Sequence, residues 1–492
     1  MRLTCFDKRV CIVERHEQFG GLNSFYRLDG RQFDVGLHAL TNYVPPGVRS
    51  APLPKLLRQL RIPRDEWDLH EQTWSEVRFP HHRLRFSNDV SLLVSQVAEV
   101  FPRQADGFVR LVEFARGYDD VSLHAPWRST RQALAAFLSD PTLIDMILCP
   151  VMYYGSAEEH DLDLTHFVTM FKSLFLQGLA RPRGGVRTII SSLVRRFRAQ
   201  GGQFRMKCGV TRLVVDDGRV RAVALETGEV LTAPIVFSSA GYHETMALCP
   251  AGEPRASARA EPPARCASEP RASARAEPPV RTETPSAVEA STALSAGTPG
   301  QRQGSDAPPD VPGVLSFVES ICVLNCLPKT LGHESTITFF NHADTFEYAC
   351  PAEPVDVRSG VICCPSNFER HDDVAEGVIR FTSLARADAW ESFPEEEYRR
   401  QKQVWHERVV EQALRYLPDF RPHVVYTDTF TPRTIRRYTS HLGGAVYGAP
   451  RKRRDGRTPI ENLFICGTDQ GFLGIIGACL SGITVANLYG LE

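Results

Sequence analysis

Several short stretches of this 492-residue chain combine residue types suited to holding a polar, electron-rich ligand. Val10 to Val13 reads as a buried strand ending in an acid, Glu14, with Gly20 and Gly21 soon after. A carboxylate at a strand end accepts two hydrogen bonds from a diol, the arrangement that binds a ribose in dinucleotide-binding folds. Such an acid ordinarily follows a Gly-rich phosphate loop by roughly 20 residues. Only thirteen residues precede Glu14, and none is glycine. The run "PIVFSSAG" is a second apolar strand, ending in the small residues Ser238 to Gly241. Small residues there let a ligand approach the backbone. A third strand, Leu463 to Cys466, leads to Gly467, a loop carrying Asp469, and an apolar helix beginning near Ile475. Gly477, Ala478, Ser481 and Gly482 lie in that helix, whose N-terminus offers free N–H groups and a positive dipole end.

The elements that must position these residues are separated by blocks of different character. In "GGVRTIISSLVRRFRAQGG" the spacing of Val186, Ile189, Ile190, Leu193, Val194 and Phe197 predicts an amphipathic helix stopped by Gly201 and Gly202. Short strands follow at Phe204 to Lys207, Val210 to Val215, Val220 to Glu226 and Val230 to Leu231, linked as hairpins through "DDG" and "TG". Between residues 46 and 180 the pattern is mostly helical, with candidates at Leu92 to Phe101, Phe108 to Ala115, Arg131 to Leu138 and Leu164 to Leu179. The last has a wide apolar face including Phe167, Phe171 and Phe175, with Lys172 opposite. Beyond residue 313, "VLSFVESICVLNCL" and "VIRFTSLARA" read as strands and Glu396 to Leu417 as a helix. Residues 251–313 are Ala, Pro, Arg, Glu, Ser and Thr with a direct repeat, "EPRASARAEPP". A segment with so few large apolar residues cannot offset its chain entropy by burial, so a disordered insertion is expected.

Net charge is −1, which removes any global electrostatic case for nucleic acid. The thirteen cysteines show no CxxC pairing, the pattern of reduced thiols in a cytosolic protein. Neither a secretory leader nor an 18-residue apolar span is visible, and a cytoplasmic location is expected. "HDLDLTH" (residues 160–166) has spacing that fits no common metal site. "RKRRDGR" (residues 451–457) reads as a solvated basic loop, with contact to a membrane surface as the second reading.

In this order, four blocks resemble the phytoene desaturase and carotenoid isomerase family of flavin-dependent oxidoreductases, within the wider class that includes amine oxidases. They are "VERHEQFGGLNSFYRLDGRQFDVGLHAL", residues 182–241, "TPRTIRRYTSHLGGAVYG", and the tail from Asn462. The resemblance implies an α/β fold: a Rossmann-like FAD-binding domain plus an α+β substrate-binding domain. The first would be assembled from residues 1–45, 184–250 and 456–492, the second from residues 46–183 and 314–455.

FAD is the implied cofactor. Glu14 would hold the adenosine ribose and Arg15 would lie over the adenine. Gly20 and Gly21 would turn the chain past the cofactor, and Val210 would meet the adenine through its backbone. Ala240 and Gly241 would approach the pyrophosphate or ribose, and Gly467 and Asp469 the pyrophosphate and ribityl chain. Thr468 stands where the family's acid usually follows the glycine, so Asp469 is a shifted match. Gly477 would face the flavin's pyrimidine end. His38 lies in the block running towards the flavin and is the candidate acid or base, although a lone histidine is more often structural. Phe167, Phe171, Phe175, Arg433 and Tyr438 would line the substrate cavity.

The implied reaction is hydride transfer between flavin N5 and a long apolar, isoprenoid or polyene substrate, by desaturation, saturation or isomerisation. The family's first strand, GxGxxG loop and first helix have no counterpart ahead of Val10, so the FAD domain reads as incomplete. The 492 residues are therefore expected to hold FAD poorly or to fold badly. Two alternatives stand beside this reading: a remnant that binds lipid without flavin, and an amine or protoporphyrinogen oxidase.

Overall fold

The computed structural model describes residues 1–36, 39–123, 125–249, 308–368 and 375–491. Met1–Pro250 and Ala307–Glu492 form one compact unit. Its largest element is a seven-stranded sheet, in the order Val424–Phe430, Ser316–Leu324, Gly377–Ala385, Ser359–Cys363, Ile337–Asn341, Ser75–Arg78 and Arg83–Phe86. Neighbours run antiparallel except Ile337–Asn341 against Ser75–Arg78. Alternation along Ser316–Leu324 assigns its two faces. Val318, Cys322 and Leu324 pack on Trp405, Val409 and Ala413 of helix Glu395–Ala413. Phe317 turns the other way, into a core shared with the helices of the first half.

Those helices are Val90–Val100, Ala105–Gly117, Thr130–Ala135, Pro141–Gly155 and Leu164–Phe171. Several begin on side-chain caps that satisfy otherwise orphan N–H groups. Asp89 accepts from Ser91 N at 2.9 Å, Asp140 from Thr142 N at 2.9 Å, and Asp163 from His166 N at 3.3 Å. The predicted helix over residues 164–179 ends its α form at Phe171. It continues as a π-type turn, Lys172–Gln177, and stops at Gly178 with φ 101°. Helix Pro141–Gly155 has no clear polar stripe and contains Pro150, so the 3.6-residue signal that would announce it is absent.

The segments singled out for ligand binding form two parallel ribbons rather than one sheet. Cys11–Val13 pairs with Gln203–Arg205, and Val236–Ser238 pairs with Leu463–Ile465. Among the described residues neither Cys11–Val13 nor Val236–Ser238 has a second strand neighbour. The expected burial of both therefore does not hold: Cys11 and Ile12 are exposed and Val236–Ser238 is half-buried. A hairpin sheet of Val210–Asp216, Arg219–Leu225 and Val230–Leu231 lies between the ribbons in sequence.

One buried charge cluster ties the N-terminal hairpin to this region. The hairpin Phe25–Leu28 and Arg31–Asp34 ends in Asp34, whose carboxylate accepts from Arg181 at 2.6 Å, Val186 N at 3.0 Å and Arg187 at 3.3 Å. Burial pushes this carboxyl up, but Arg181, the Val186 N–H and Arg187 outweigh it and hold it below the usual carboxylate range. Most of the predicted insertion lies outside the described residues. Its last few are placed and ordered by charge: Asp310 pairs with Arg453 at 2.5 Å and with His243 at 3.5 Å.

Candidate active site

A cavity of about 2060 Å³ runs between the two ribbons and the seven-stranded sheet. Most single-ligand pockets measure roughly 300–1,000 Å³, so this one has room for a large cofactor and a long substrate together. One end is polar. Glu14, Arg15, His16, Gly20 and Gly21 line it from the first ribbon, and Ser238, Ser239, Ala240, Gly467 and Thr468 from the second. Lys8, Arg9 and Arg437 add positive charge. The other end is apolar, walled by Met170, Tyr153, Tyr154, Phe317, Val361, Phe430 and Leu473.

Backbone conformation shapes the polar end. Gly467 leaves its strand at φ 85°, ψ −140°, a region closed to side chains, and Ser481 Oγ accepts its N–H at 2.5 Å. A Cβ on Gly467 would find no protein atom nearer than 4.0 Å, and one on Gly21 or Gly474 none within 4 Å. All three glycines line the cavity, so side chains there would project into the space a ligand would fill. Glu14 keeps its place through one oxygen, which accepts from His16 N at 2.8 Å. Arg15 spans to Ser440 at 2.9 Å and Glu226 at 3.5 Å, and His16 meets Tyr438 edge-on at 4.5 Å.

Of the residues expected from sequence, Glu14, Arg15, Gly20, Gly21, Val210, Ala240, Gly467 and Tyr438 line this cavity. Gly241 and Gly477 are not among the residues that line it. Asp469 is committed elsewhere: it is buried, and its oxygens accept from Tyr242 N at 2.6 Å and Ala449 N at 2.8 Å. It braces the loop that carries Gly467. Phe167, Phe171 and Phe175 do not reach the cavity. They stack in sequence, 5.5 and 5.2 Å between ring centres, inside the helical core. Their neighbour Met170 takes the lining position. Arg433 is also a brace, donating to the carbonyls of Trp390, Glu391 and Phe393 and lying over Tyr398. His38 lies outside the described residues.

The cavity's sheet wall was not legible beforehand, because it is a cross-strand row, Phe430–Glu319–Thr382–Val361, contributed by four separated segments. Two further readings resolve structurally. In "HDLDLTH", Asp163 caps a helix and His166 is half-buried with its Nε2 enclosed, its ring held at about 3 by desolvation and by Lys452 and Arg454. In "RKRRDGR", Lys452 donates to Tyr447 O at 2.5 Å, Arg453 lies 4.0 Å over Tyr242, and Arg454 pairs with Asp163. This run serves the fold more than it serves a surface. Cys466, at the cavity, and Cys479 are pushed up by burial to about 11 and 12, so neither supplies a thiolate near neutral pH.

Known proteins place this geometry. Residues 2–238 match the family described as flavin containing amine oxidoreductase. The match takes in just under half of the chain, and relatives that it resembles are named as phytoene desaturases and prolycopene isomerases. The chain is 25% identical over 277 residues to a phytoene desaturase (neurosporene-forming) of Cereibacter sphaeroides, a match covering 50% of this chain and 51% of that protein. It is 19% identical over 527 residues to the chloroplastic prolycopene isomerase of Arabidopsis thaliana, covering 99% of this chain and 79% of the relative. The chain thus matches about half the length of the first curated relatives. An oxidoreductase from Methanosarcina mazei shares the fold with a TM-score of 0.61 at 14% identity, over 99% of this chain and 96% of that one. Putrescine oxidase does so with a TM-score of 0.58 at 15% identity, over 100% and 95%.

The family's cofactor is FAD. The residues present fit it. Glu14 suits a ribose diol, Lys8, Arg9, Arg15 and Arg437 suit an anionic pyrophosphate, and the three open glycines admit close approach. What the described N-terminus does not provide is a Gly-rich loop: Thr4–Phe6 is a 3-10 turn instead.

Proposed function

We propose that this chain is an FAD-dependent oxidoreductase acting on a long apolar substrate of isoprenoid or polyene type. The observation that carries the reading is the division of one cavity into a glycine-lined, cationic end and an aromatic, apolar end. The relatives support it: those already described are named as a phytoene desaturase and a prolycopene isomerase, and another as all-trans-retinol 13,14-reductase.

When bound, the flavin supplies hydride acceptance or donation at N5. The chain's own residues do the rest. Glu14 and Arg15 fix the nucleotide end. The Gly467 turn, braced by Ser481 and Asp469, lets the backbone meet the cofactor without a side chain between. Tyr153, Tyr154, Met170, Phe317 and Leu473 wall the remaining space with apolar surface, which aligns an extended chain and excludes water. His38 is the candidate acid or base.

The test is the visible spectrum of the purified 492-residue protein after FAD loading and gel filtration. The cavity lining favours retained flavin bands, which would overturn the expectation from sequence that these residues hold FAD poorly. Their absence, with the protein folded, removes the oxidoreductase reading and favours a lipid-binding role for the same cavity.

A further inference from the structure

Three separate elements converge on Asp469, two residues beyond Gly467 in the turn at the polar end of the cavity. The Asp469 carboxylate accepts from Tyr242 N at 2.6 Å and from Ala449 N at 2.8 Å, and its backbone carbonyl accepts from Arg453 N at 2.7 Å. The holders are thus the start of helix Tyr242–Ala247, the loop around Ala449, and the basic run. Asp469 is 2% exposed, so the places of these three elements decide its own.

The segment from Asp310 to Leu315 touches all three. Asp310 Oδ2 accepts from Arg453 at 2.5 Å, and Oδ1 lies 3.5 Å from Nε2 of His243, the neighbour of Tyr242. The Arg453 guanidinium lies 4.0 Å over the Tyr242 ring, so one carboxylate ties the helix start to the basic run. A little further along, Leu315 O accepts from Val446 N at 3.1 Å. Gly313 presses on Gly448: a Cβ on Gly313 would stand 2.0 Å from the Gly448 carbonyl oxygen. No residue from Asp310 to Leu315 lines the cavity, so any influence on a ligand there passes through the elements it touches.

An acid 37% exposed and an arginine 19% exposed form a pair that adds little stability by itself. Its effect is geometric. Without Asp310, Arg453 and His243 lose their common partner, and the elements behind Asp469 can shift separately. A binding site tolerates displacements of only about 0.5 Å in the groups that meet its ligand. Resting on the reading of the polar end as an FAD site, we propose that Asp310 is a positioning residue for the cofactor turn. Through Arg453 and His243 it sets Asp469, and through Asp469 it holds Gly467 in the conformation that admits the cofactor.

The experiment compares the unmodified full chain with Asp310→Ala, Arg453→Ala and the double variant. FAD affinity is measured by fluorescence titration, and amide hydrogen exchange by mass spectrometry on the FAD-free proteins. Asp310→Ala is expected to weaken FAD about threefold, within the range of a partly exposed ion pair. Arg453→Ala should weaken it at least as much, and the double variant scarcely more than Arg453→Ala, because the two residues act through one contact. In Asp310→Ala, exchange should quicken severalfold in the peptide spanning residues 466–471. It should stay unchanged in strand Gly377–Ala385, which shows that the variant is folded. Unchanged FAD affinity in Asp310→Ala overturns the proposal. So does a double effect equal to the product of the two single ones, or exchange that quickens throughout the protein. No FAD binding by the unmodified chain removes the oxidoreductase reading instead. Exchange at residues 466–471 then decides alone whether Asp310 braces the turn, and unchanged exchange there overturns that too.

Discussion

Gly467 and Asp34 show how single residues carry the site in different ways. Gly467 occupies a conformation that excludes a Cβ and faces open cavity, so its replacement acts twice, through backbone strain and through the space a cofactor needs. Gly467→Val is expected to abolish retention of FAD on gel filtration while Gly482→Ala, in the helix behind, leaves it within a factor of two. Asp34 acts from a distance. Asp34→Asn leaves Arg181 buried beside a neutral amide, and removing one partner of a buried pair costs on the order of 3–5 kcal/mol. Chemical denaturation of the two proteins at pH 7 measures it. The folded pKa of Asp34 lies below the unfolded one, so its contribution is present above the unfolded value of about 4 and lost as pH falls through the folded one. The difference between the two proteins should therefore narrow on acidification.

At the level of elements, the contact between the helical block and the tail is titratable. Glu158 is raised by burial to about 7, although it accepts from Trp127 Nε1 at 2.8 Å and Asp163 N at 3.2 Å. Lys452 is lowered by burial to about 8. A carboxyl with a raised folded pKa binds its proton more tightly when folded. Its favourable contribution holds below the ordinary 4.5 and is lost as pH rises to about 7. The lysine works the other way, and stability returns as pH climbs from about 8 towards 10.5. Thermal melting from pH 4.5 to 8 should show a steeper loss in the natural protein than in Glu158→Gln. The same scale shows what sequence could and could not reveal. Strand and helix identity in the hairpin sheet and helix Glu395–Ala413 followed from periodicity and turn residues, and the ribbon strands followed from short apolar runs next to glycines. Helix Pro141–Gly155 did not, because it is apolar all round. The cavity wall did not either, because which of Phe317, Glu319, Val361 and Thr382 face one another is decided by register between distant strands. Phe167, Phe171 and Phe175 had the right composition for lining and the wrong direction: the apolar stripe marked a core, and Met170 beside it faced the cavity.

For the whole molecule, the long low-complexity stretch can be separated from the remainder. Its flanks are drawn together, since Asp310 meets both His243 and Arg453. The entropy of closing a loop grows only as the logarithm of its length, about 0.6 kcal/mol per doubling. Replacing residues 251–306 with a short Gly-Ser linker is therefore expected to change the denaturation midpoint little and to leave FAD retention as it was. A large loss in either would give that segment a structural part. The molecule otherwise works by division of labour: a seven-stranded sheet and helices make a dry wall, two ribbons make a wet one, and the cavity is what lies between.

The two ribbons have a consequence for behaviour in a crowded solution. Among the described residues each offers an edge without a strand partner, the feature by which strands recruit strands from other molecules. Both edges are only three residues long. One is preceded by Lys8 and Arg9 and the other by Pro234, a charge pair and a residue without an N–H. These are the devices by which sheets resist sticking together. Lys8→Val with Arg9→Val would extend the first edge into a continuous apolar run from residue 8 to residue 13, and light scattering on storage should rise accordingly.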